Sequence, residues 1–470
     1  MKIEQIYTGC IAQAAYYLES NGEAAIFDPL REVQPYIDRA TKDNAQIKYI
    51  FETHFHADFV SGHLDLAKKT GAEIVYGPTA APNFDATIAK DGQEFTVGNY
   101  TIRAIHTPGH TLESTCYLLL ENGEPTGIIT GDTLFIGDVG RPDLAQALTS
   151  ELTQEVLASH LYDSLRNKIM TLPDSLIVYP SHGAGSACGK NMSKETTDLL
   201  GNQKQTNYAL RADMTKEEFI KELLDGLGAP PAYFPQNVLM NIQGYESLDT
   251  ILEKGSASLS APEFLAAAKE HEALVLDVRH EDDFVKEHIP GSIFIGLNGQ
   301  FAPWVGALIM DVNQPLVLVT PEGKEAEAVT RLARVGFDNT LGYLSGGMEA
   351  WKAAGFETDS IRSVSPEAFA EGLANEEKTV VDSRRPGEYA GGHVENAINI
   401  PLDFINQQLA EVPKDEDFYL HCAGGYRSVI MSSILKARGY HNMINVEKGF
   451  GGIKNTSVKT IAGQTACSLK

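Results

Sequence analysis

The second half of the chain repeats itself, and this repeat limits the folds that are open to it. Asp277-Val278-Arg279 recurs as Asp382-Ser383-Arg384, and the segment His288–Ile293 recurs as His393–Ile398. Both pairs are separated by 105 residues, from 277 to 382 and from 288 to 393. A repeat is best explained by one structural unit that occurs more than once. The sequence therefore predicts two copies of a single module.

Each copy has the same order of elements. An apolar strand precedes the shared Asp, and a second apolar strand, Leu316–Val319 or Phe418–Leu420, leads into a tight loop and a helix. In the later copy this helix is predicted over Val429–Arg438. A β-loop-α order favours a small α/β module with a parallel sheet. We place the two copies at residues 257–358 and 363–460.

The residues before the repeat alternate short β-rich runs with helical stretches. An amphipathic helix is predicted over residues 214–227, a linker-like segment follows at 228–235, and the first boundary is expected near 245–256. The predicted strands are Ile47–Phe51, Glu73–Tyr76, Leu176–Tyr179, and the hairpin of Cys116–Leu120 with Gly127–Thr130 around Asn122-Gly123. A first domain over residues 1–245 gives about three domains, as a chain of 470 residues predicts.

Composition excludes several classes of function. The formal net charge is -25, which argues against binding of nucleic acid and of anionic membranes, because both need clustered Lys and Arg. The N-terminal residues show no apolar signal-peptide core, and we find no run long enough to span a membrane. Five scattered cysteines do not form a disulfide framework. We expect a protein of the reducing cytoplasm.

Six His and Asp side chains follow predicted strands in the first domain. They are His54, His56, Asp58, His110, Asp132 and His182. Polar groups in loops at strand ends are where such scaffolds place their chemistry. Imidazole and carboxylate groups bind zinc, iron or manganese, so the set predicts a metal site without identifying the metal.

The segment Thr53-His54-Phe55-His56-Ala57-Asp58 resembles the His-x-His-x-Asp-His signature of the metallo-β-lactamase superfamily. The later motifs come in the family's order, and the resemblance covers about residues 1–210. It implies an α+β fold, an αββα sandwich with the metal at the edge of its two sheets. Phe59 stands where the signature has its last His, which holds the second zinc in dinuclear hydrolases of the family. A phenyl ring cannot coordinate a metal, so we expect a mononuclear site.

Persulfide dioxygenases of this superfamily bind one iron through two His and one Asp. The resemblance assigns these ligands to His54, His110 and Asp132, with one Fe(II) per chain. Two imidazoles and one carboxylate leave open coordination positions for a persulfide sulfur and O2. The same resemblance gives three further residues, His56, Asp58 and His182, the role of orienting the ligands or bound water.

Two more residues of this domain are candidates for substrate binding. Arg141 matches a family arginine that contacts the carboxylate of the thiol substrate, and its alternative role is a loop-fixing salt bridge. Cys188 is either an inert buried thiol or a cysteine that holds sulfur near the iron. Glutathione-using members have a Tyr just after the His that corresponds to His182, and Gly183-Ala184 stands there in this chain. The identity of the thiol therefore stays open.

The last module carries a cysteine in a glycine-rich loop, His421-Cys422-Ala423-Gly424-Gly425-Tyr426-Arg427, directly before a helix. Backbone N–H groups, the positive end of the helix dipole and the Arg427 cation all favour the nucleophilic thiolate. Four residues separate Cys422 from Arg427, as in rhodaneses, whose short loop fits a persulfide sulfur. We therefore predict catalytic roles for Cys422 and Arg427, and substrate contacts from the four residues between them.

The corresponding loop of the middle module has no cysteine. Thr320 stands in its place in Val319-Thr320-Pro321-Glu322-Gly323-Lys324-Glu325, and Glu322 would repel an anionic donor. A threonine hydroxyl cannot carry a persulfide. We predict a rhodanese-like module without sulfur-transfer activity, which serves in structure, docking or spacing.

The order of the three domains resembles the persulfide dioxygenase–sulfurtransferase proteins of bacterial sulfide detoxification. This resemblance implies that a low-molecular-weight thiol persulfide and O2 give sulfite, which Cys422 converts to thiosulfate. We expect a homo-oligomer with no nucleic-acid or membrane partner. Two alternatives stay open: a zinc-dependent thioester hydrolase of the glyoxalase II type with accessory rhodaneses, and a non-enzymatic sulfur carrier or redox sensor.

Overall fold

The computed structural model describes residues 2–143 and 152–462. The chain divides into two compact units. The first comprises Met1–Ile251 with Thr330–Phe337, and the second comprises Leu252–Val329 with Asp338–Lys470. Within the described residues, no helix combines the length and the apolar character that crossing a bilayer requires.

The first unit is built on two six-stranded sheets, each of which has its strands in chain order. The first sheet contains β1 (Lys2–Thr8), β2 (Gln13–Ser20), β3 (Glu23–Phe27), β4 (Gln46–Phe51), β5 (Glu73–Tyr76) and β6 (Thr87–Ile88). The second contains β7 (Glu94–Val97), β8 (Tyr100–His106), β9 (Thr115–Glu121), β10 (Glu124–Gly131), β11 (Ile177–Pro180) and β12 (Asp198–Leu199). The predicted hairpin is β9 and β10, which pair antiparallel.

Helices accompany both sheets of this unit. They are α1 (Gln34–Lys42), α2 (His63–Thr70), α3 (Gln154–Ser164), α4 (Leu200–Thr206), α5 (Lys216–Leu224), α6 (Phe234–Gln243) and α7 (Leu248–Gly255). A π-helical turn over Leu165–Ile169 continues α3. The predicted amphipathic helix is α5, which begins after a capping box formed by Thr215 and Glu218. The linker-like segment leads directly into α6, with a proline in its first turn.

Two apolar layers hold this unit together. Aromatic and aliphatic side chains of both sheets interdigitate in the first layer, among them Phe27, Phe51 and Tyr117. The second layer packs the other face of the second sheet against α3 and α5 through residues such as Leu161 and Phe219. Buried faces on both sides of the second sheet explain why β9 and β10 read as apolar runs rather than as alternating patterns. The sandwich predicted from the sequence is confirmed.

The second unit contains two five-stranded parallel sheets. The order of the first is β13-β17-β16-β14-β15, with β13 (Ser258–Leu259), β14 (Leu274–Asp277), β15 (Ile293–Phe294), β16 (Leu316–Val319) and β17 (Thr340–Leu344). The order of the second is β18-β23-β22-β19-β21, with β18 (Ser363–Val364), β19 (Val380–Asp382), β21 (Ile398–Asn399), β22 (Phe418–His421) and β23 (Met443–Val446). A separate antiparallel pair joins β20 (Gly392–Val394) to β24 (Thr460–Ala462).

The two parallel sheets have the same strand order, so the repeat in the sequence is a repeat in the structure. The helices of the first copy are α8 (Ala261–Glu270), α9 (Glu281–Lys286), α10 (Phe301–Leu308), α11 (Glu325–Ala333) and α12 (Gly347–Ala353). Those of the second are α13 (Pro366–Asn375), α14 (Pro386–Ala390), α15 (Ile405–Gln408), α16 (Tyr426–Ala437) and α17 (Gly449–Ile453). The α/β character predicted for both modules is confirmed.

Candidate metal centre and cysteine loop

All six predicted His and Asp side chains lie in loops at the ends of strands, and all are buried. His54, His56 and Asp58 follow β4, while His110, Asp132 and His182 follow β8, β10 and β11 respectively. Because β10 and β11 pair in parallel, Asp132 and His182 emerge at the same end of the second sheet. Strand order thus brings together residues that are far apart in the sequence.

The structure places three of these residues as one group. The ligand-type atoms of His54, His110 and Asp132 all lie within 4.8 Å of one another. Asp132 Oδ2 is 3.4 Å from His110 Nε2 and 3.9 Å from His54 Nε2. Neither oxygen of Asp132 has a hydrogen-bond partner among the described residues, although the carboxylate is buried. A buried carboxylate is costly without a compensating charge, so the arrangement fits a cation held among these three residues.

In His54 and His110, the hydrogen bond made by Nδ1 determines whether Nε2 is free to bind a metal. His110 Nδ1 lies 2.7 Å from the carbonyl oxygen of Arg141, which can only accept, so Nδ1 carries the proton. The Thr53 hydroxyl donates to Asp28 at 2.9 Å and therefore accepts from His54 Nδ1 at 3.0 Å. Nε2 of both rings is left as an unprotonated ligand atom. Burial and the neighbouring histidines lower the pKa of His54 well below its usual value, which keeps this ring neutral.

His56 belongs to a different group, although it is only two residues from His54. Its Nε2 lies 3.1 Å from Asp28 and 3.3 Å from Glu52. Burial opposes protonation, but these two carboxylates prevail and raise the pKa of His56 well above its usual value. A protonated imidazole cannot bind a metal. Through Asp28, His56 is connected to Thr53 and so to His54. An orienting role for His56 stays a prediction.

Asp58 and His182 form a third group, together with Cys188, within the same 4.8 Å limit. His182 Nε2 is 3.4 Å from Asp58 Oδ2 and 3.5 Å from Asp132 Oδ1. Burial, reinforced by the carboxylates of Asp58 and Asp132, raises the pKa of the Cys188 thiol well above its usual value. Because His182 lies next to Asp132, this group adjoins the group of His54, His110 and Asp132.

Arg141 makes the loop-fixing contacts that were its alternative role. Its guanidinium forms two hydrogen bonds to Asp143, at 2.6 and 2.7 Å, and donates to the carbonyl oxygens of Ala187 and Gly228. The Arg141 backbone N–H donates to the Cys188 carbonyl at 3.0 Å. Arg141 thus holds the loop that carries Cys188, and its contact with a substrate carboxylate stays a prediction.

Asn241 holds the loop that follows His54, and no motif in the sequence indicated a role for this residue. Its amide nitrogen donates to the carbonyl oxygens of His56 and Phe59, at 2.8 and 2.9 Å. Its amide oxygen accepts from the Ser61 N–H at 2.9 Å. One buried side chain on α6 therefore ties down the loop that follows His54. Its importance comes from packing between residues that are 180 positions apart, as in the bond to Ser61.

The cysteine loop of the last module connects β22 to α16, as the sequence predicts. The Gly425 N–H donates to Cys422 Sγ at 3.1 Å, and α16 begins at the next residue. The Arg427 guanidinium forms a pair of hydrogen bonds to Glu388, at 2.6 and 2.7 Å. These hydrogen bonds hold the pKa of the Glu388 carboxyl below its usual range. The loop thus places the buried Cys422 sulfur near the Arg427 cation, which also pairs with the Glu388 carboxylate.

Residues of α17 form hydrogen bonds to the backbone of this loop. The Phe450 N–H donates to the Cys422 carbonyl at 2.7 Å, and the Gly451 N–H donates to the Ala423 carbonyl at 2.9 Å. At Gly449, a Cβ atom would lie 2.4 Å from the Cys422 oxygen, so only glycine allows this approach. The Arg384 guanidinium lies over the Phe450 ring, and its Cζ atom is 4.0 Å from the ring centroid. These contacts fix the backbone of the Cys422 loop.

The middle module forms part of the pocket at Cys422, which the sequence did not reveal. This cavity of about 290 Å³ is lined by Cys422, Gly424, Tyr426 and Arg427 of the loop, and by Gln300, Trp304, Arg385 and Glu388. The Tyr426 hydroxyl donates to the Gly296 carbonyl at 2.7 Å, and a Cβ at Gly299 would lie 2.3 Å from the Tyr426 ring. The middle module therefore lines part of the Cys422 site of the last module.

The loop of the middle module is closed by its own side chain. Glu325 occupies the position that Arg427 has in the last module, and its carboxylate accepts from the Gly323 N–H at 3.1 Å and from the Thr320 hydroxyl at 3.3 Å. The corresponding Gly425 N–H donates to Cys422 instead. An anion of the chain itself thus occupies the donors that an anionic substrate would need. The lack of sulfur-transfer activity in this module stays a prediction.

Family comparisons agree with this architecture. Residues 8–182 match the metallo-beta-lactamase superfamily, and residues 260–354 and 365–456 each match the rhodanese-like domain. A hydroxyacylglutathione hydrolase of Rhizobium etli is 35% identical over 168 residues, which are 35% of this chain and 58% of that protein. The chain therefore spans less than two thirds of the length of this curated relative.

Solved structures give a longer match. The crystal structure of a metallo-beta-lactamase from Staphylococcus aureus subsp. aureus COL is 30% identical, with a TM-score of 0.64, and the match covers 73% of this chain and 98% of that one. The crystal structure of ETHE1 from Myxococcus xanthus is 27% identical, covers 52% of this chain and 96% of that one, and has a TM-score of 0.43. The chain belongs to the metallo-β-lactamase superfamily, and two rhodanese-like domains follow its metallo-β-lactamase domain.

Proposed function

We propose that this protein is an iron-dependent persulfide dioxygenase coupled to a rhodanese-type sulfurtransferase. The observation that carries the proposal is the group of His54, His110 and Asp132, whose ligand-type atoms all lie within 4.8 Å of one another. A set of two histidines and one carboxylate is typical of non-haem iron(II) oxygenases, because it leaves coordination positions open. A single Fe(II) per chain is the cofactor that this proposal requires.

The chain's own residues hold and isolate this centre. An iron(II) ion bound there would supply the site at which O2 oxidises the outer sulfur of a thiol persulfide. His54 and His110 are held by Thr53 and by the Arg141 carbonyl, so their Nε2 atoms do not need to reorient on binding. The balance of the reaction is RSSH + O2 + H2O giving RSH + sulfite and two protons.

The second step takes place at Cys422. Its thiolate attacks the outer sulfur of a second persulfide, which releases the thiol and leaves a Cys422 persulfide. Sulfite then attacks the outer sulfur of this persulfide, and the S–S bond breaks to give thiosulfate and the Cys422 thiolate. The Gly425 N–H, which donates to Sγ, stabilises the negative charge on sulfur before and after transfer. Arg427 supplies a cation beside the entering sulfite.

A thioester hydrolase is the second candidate, and one observation favours it. The curated relative from Rhizobium etli is named hydroxyacylglutathione hydrolase. Phe59 argues against a complete hydrolase site, because its buried ring is tilted against the His56 ring, with 4.3 Å between the ring centroids, and offers no ligand atom. Metal content distinguishes the two candidates, since the dioxygenase requires one iron per chain and the hydrolase requires two zinc ions.

Oxygen uptake with a series of thiol persulfides tests the proposal. We expect wild-type protein to consume O2 and release thiosulfate, and His54→Ala to abolish uptake because it removes a ligand. Cys422→Ser should retain uptake and release sulfite instead of thiosulfate. Two matched controls, His160→Ala at an exposed site on α3 and Cys10→Ser, should behave as wild type.

Three results would overturn the proposal. The first is wild-type protein that contains iron but consumes no O2 with any persulfide. The second is an unchanged thiosulfate yield in Cys422→Ser, which would remove the sulfur-transfer step. The third is release of thiol from a hydroxyacylglutathione thioester at the zinc-loaded site, without O2 uptake at the iron-loaded site, which would establish the hydrolase.

A further inference from the structure

We infer that the cavity at Cys422 selects a persulfide donor whose thiol carries a carboxylate, and that Arg385 is the residue that binds this carboxylate. Gln300 and Trp304 of the middle module hold the rest of the thiol. The inference rests on the proposed function, because it requires that Cys422 takes sulfur from a persulfide. It adds the chemical class of the donor and gives the middle module a role in substrate binding.

The cavity is larger than the transferred atom requires. Its volume of about 290 Å³ is close to the lower end of the range of about 300–1,000 Å³ for pockets that bind small organic molecules. A single sulfur atom or a sulfite ion fills only part of this volume. Four of the eight lining residues lie outside the loop from Cys422 to Arg427, so they are available to contact the organic part of a donor.

The geometry of sulfur transfer directs the thiol towards these residues. When the Cys422 thiolate attacks the outer sulfur of RS–SH, a bond forms between Sγ and this sulfur. The S–S bond of the donor breaks, and its electron pair leaves with RS⁻, which takes up a proton. The leaving sulfur must lie opposite the attacking one. The R group therefore extends away from the loop, into the part of the cavity that is lined by Gln300, Trp304 and Arg385.

Arg385 is the guanidinium of this cavity whose terminal N–H groups are unused. Both terminal nitrogens of Arg427 donate to Glu388, at 2.6 and 2.7 Å. Arg385 donates to Asp403 through Nε alone, at 3.3 Å, and its two terminal nitrogens have no hydrogen-bond partner in the described part of the chain. A guanidinium with free terminal N–H groups matches the two oxygens of a carboxylate.

Two further donors of the cavity belong to the middle module. Trp304 is 5% exposed, and its indole N–H has no hydrogen-bond partner among the residues that the structure describes. A buried indole N–H usually has a partner, so this donor fits a polar atom of a bound molecule. The Gln300 side chain, at the N-cap of α10, likewise makes no hydrogen bond within residues 2–143 and 152–462.

The last module holds α10, which carries Trp304, in place. Before this helix, the Gly296 carbonyl accepts from the Tyr426 hydroxyl at 2.7 Å. At its other end, the Leu308 carbonyl accepts from the Asn406 amide at 3.2 Å. Because α10 is anchored on both sides of Trp304, a donor meets a preformed surface, which lowers the entropic cost of binding.

Two matched donors test the inference, the persulfides of mercaptoacetate and mercaptoethanol, which end in a carboxylate and a hydroxyl respectively. Loading of Cys422 in the full-length protein is followed as thiol release without O2, so that oxidation cannot consume the donor. We expect wild type to reach half-saturation at a lower concentration of the carboxylate donor. Arg385→Gln should raise this concentration roughly 3- to 10-fold and leave that of the hydroxyl donor unchanged, a modest effect because the Arg385 side chain is 60% exposed.

Two variants show whether the effect is specific to this cation. Arg362→Gln is the matched control and should load as wild type, because Arg362 is 56% exposed, pairs with Asp417 and does not line the cavity. Trp304→Ala should raise the half-saturating concentration of both donors, since it removes an apolar contact that does not depend on charge.

Equal half-saturating concentrations of the two donors in wild type would contradict the inference, and this result needs no variant that has to fold. So would an Arg385→Gln variant that affects both donors alike. Failure of both donors to load Cys422 would contradict the sulfur-transfer step of the proposed function and this inference with it, whereas loading without preference contradicts the inference alone.

Discussion

Replacing Gly425 with alanine should impair sulfur transfer at Cys422 through the backbone alone. Gly425 has a φ of +115°, which side-chain-bearing residues rarely adopt, and its N–H donates to Cys422 Sγ at 3.1 Å. The residue is also the N-cap of α16, and its carbonyl accepts from the Val429 N–H. Gly425→Ala must therefore either retain a strained backbone or rotate the N–H away from the sulfur.

Both outcomes have a cost that can be estimated. A residue with a Cβ in such a backbone region costs about 1–3 kcal/mol. A hydrogen bond to a charged group contributes about 1.5–3 kcal/mol. Since about 1.4 kcal/mol corresponds to a tenfold change in rate, kcat/KM for sulfur transfer should fall roughly 10- to 100-fold.

Transfer of sulfur from thiosulfate to cyanide measures this effect directly, with oxygen uptake as the internal reference. The matched control is Gly424→Ala, whose φ is not in the positive region and whose added Cβ meets no atom within 4 Å. Oxygen uptake should be unchanged in both variants. Equal kcat/KM for the two variants, with folding verified by circular dichroism, would refute the backbone argument.

Three further predictions follow from the site geometry. Trp304→Ala should raise KM for the sulfur donor roughly 2- to 10-fold, because a buried aromatic contact contributes about 0.5–1.5 kcal/mol, and an unchanged KM in steady-state assays would contradict its place in the pocket wall. Asn241→Ala should lower the unfolding free energy by about 1–3 kcal/mol in urea and reduce iron content, whereas Asn202→Ala, at an exposed site, should do neither. The lowered pKa of Glu388 means that its pairing with Arg427 persists at neutral pH and is lost only as the pH falls through this lowered pKa. Thermal unfolding followed against pH should show this acid-side loss in wild type and not in Glu388→Gln.

Local patterns in the sequence predicted the strands and helices and most residues of the candidate metal centre and the cysteine loop. Strand Glu73–Tyr76 and strand Leu316–Val319 have the bounds that the apolar runs indicate. The loop from Cys422 to Arg427 could be recognised because its chemistry depends on six consecutive residues. The 105-residue repeat likewise indicated two copies of one module, and their β-loop-α order indicated a parallel sheet in each.

Residues that act through distant contacts could not be predicted in this way. Asn241 is an ordinary polar residue on α6 until packing places it against the loop after His54. Trp304 lies in a module without a catalytic cysteine, and its part in the Cys422 pocket depends on how two modules of the second unit pack. Neither contact leaves a local pattern, because each joins segments that are far apart in the sequence.

The sequence by itself determined the fold class, the repeat and the types of residue available for chemistry, because hydrophobic periodicity and short motifs act over a few neighbouring positions. Only the tertiary structure decided how these residues are grouped. It directed Nε2 of His56 to Asp28 and Glu52, and it brought Cys188 next to Asp58 across 130 positions. A ligand set is defined by distances in space, which strand order and loop packing impose.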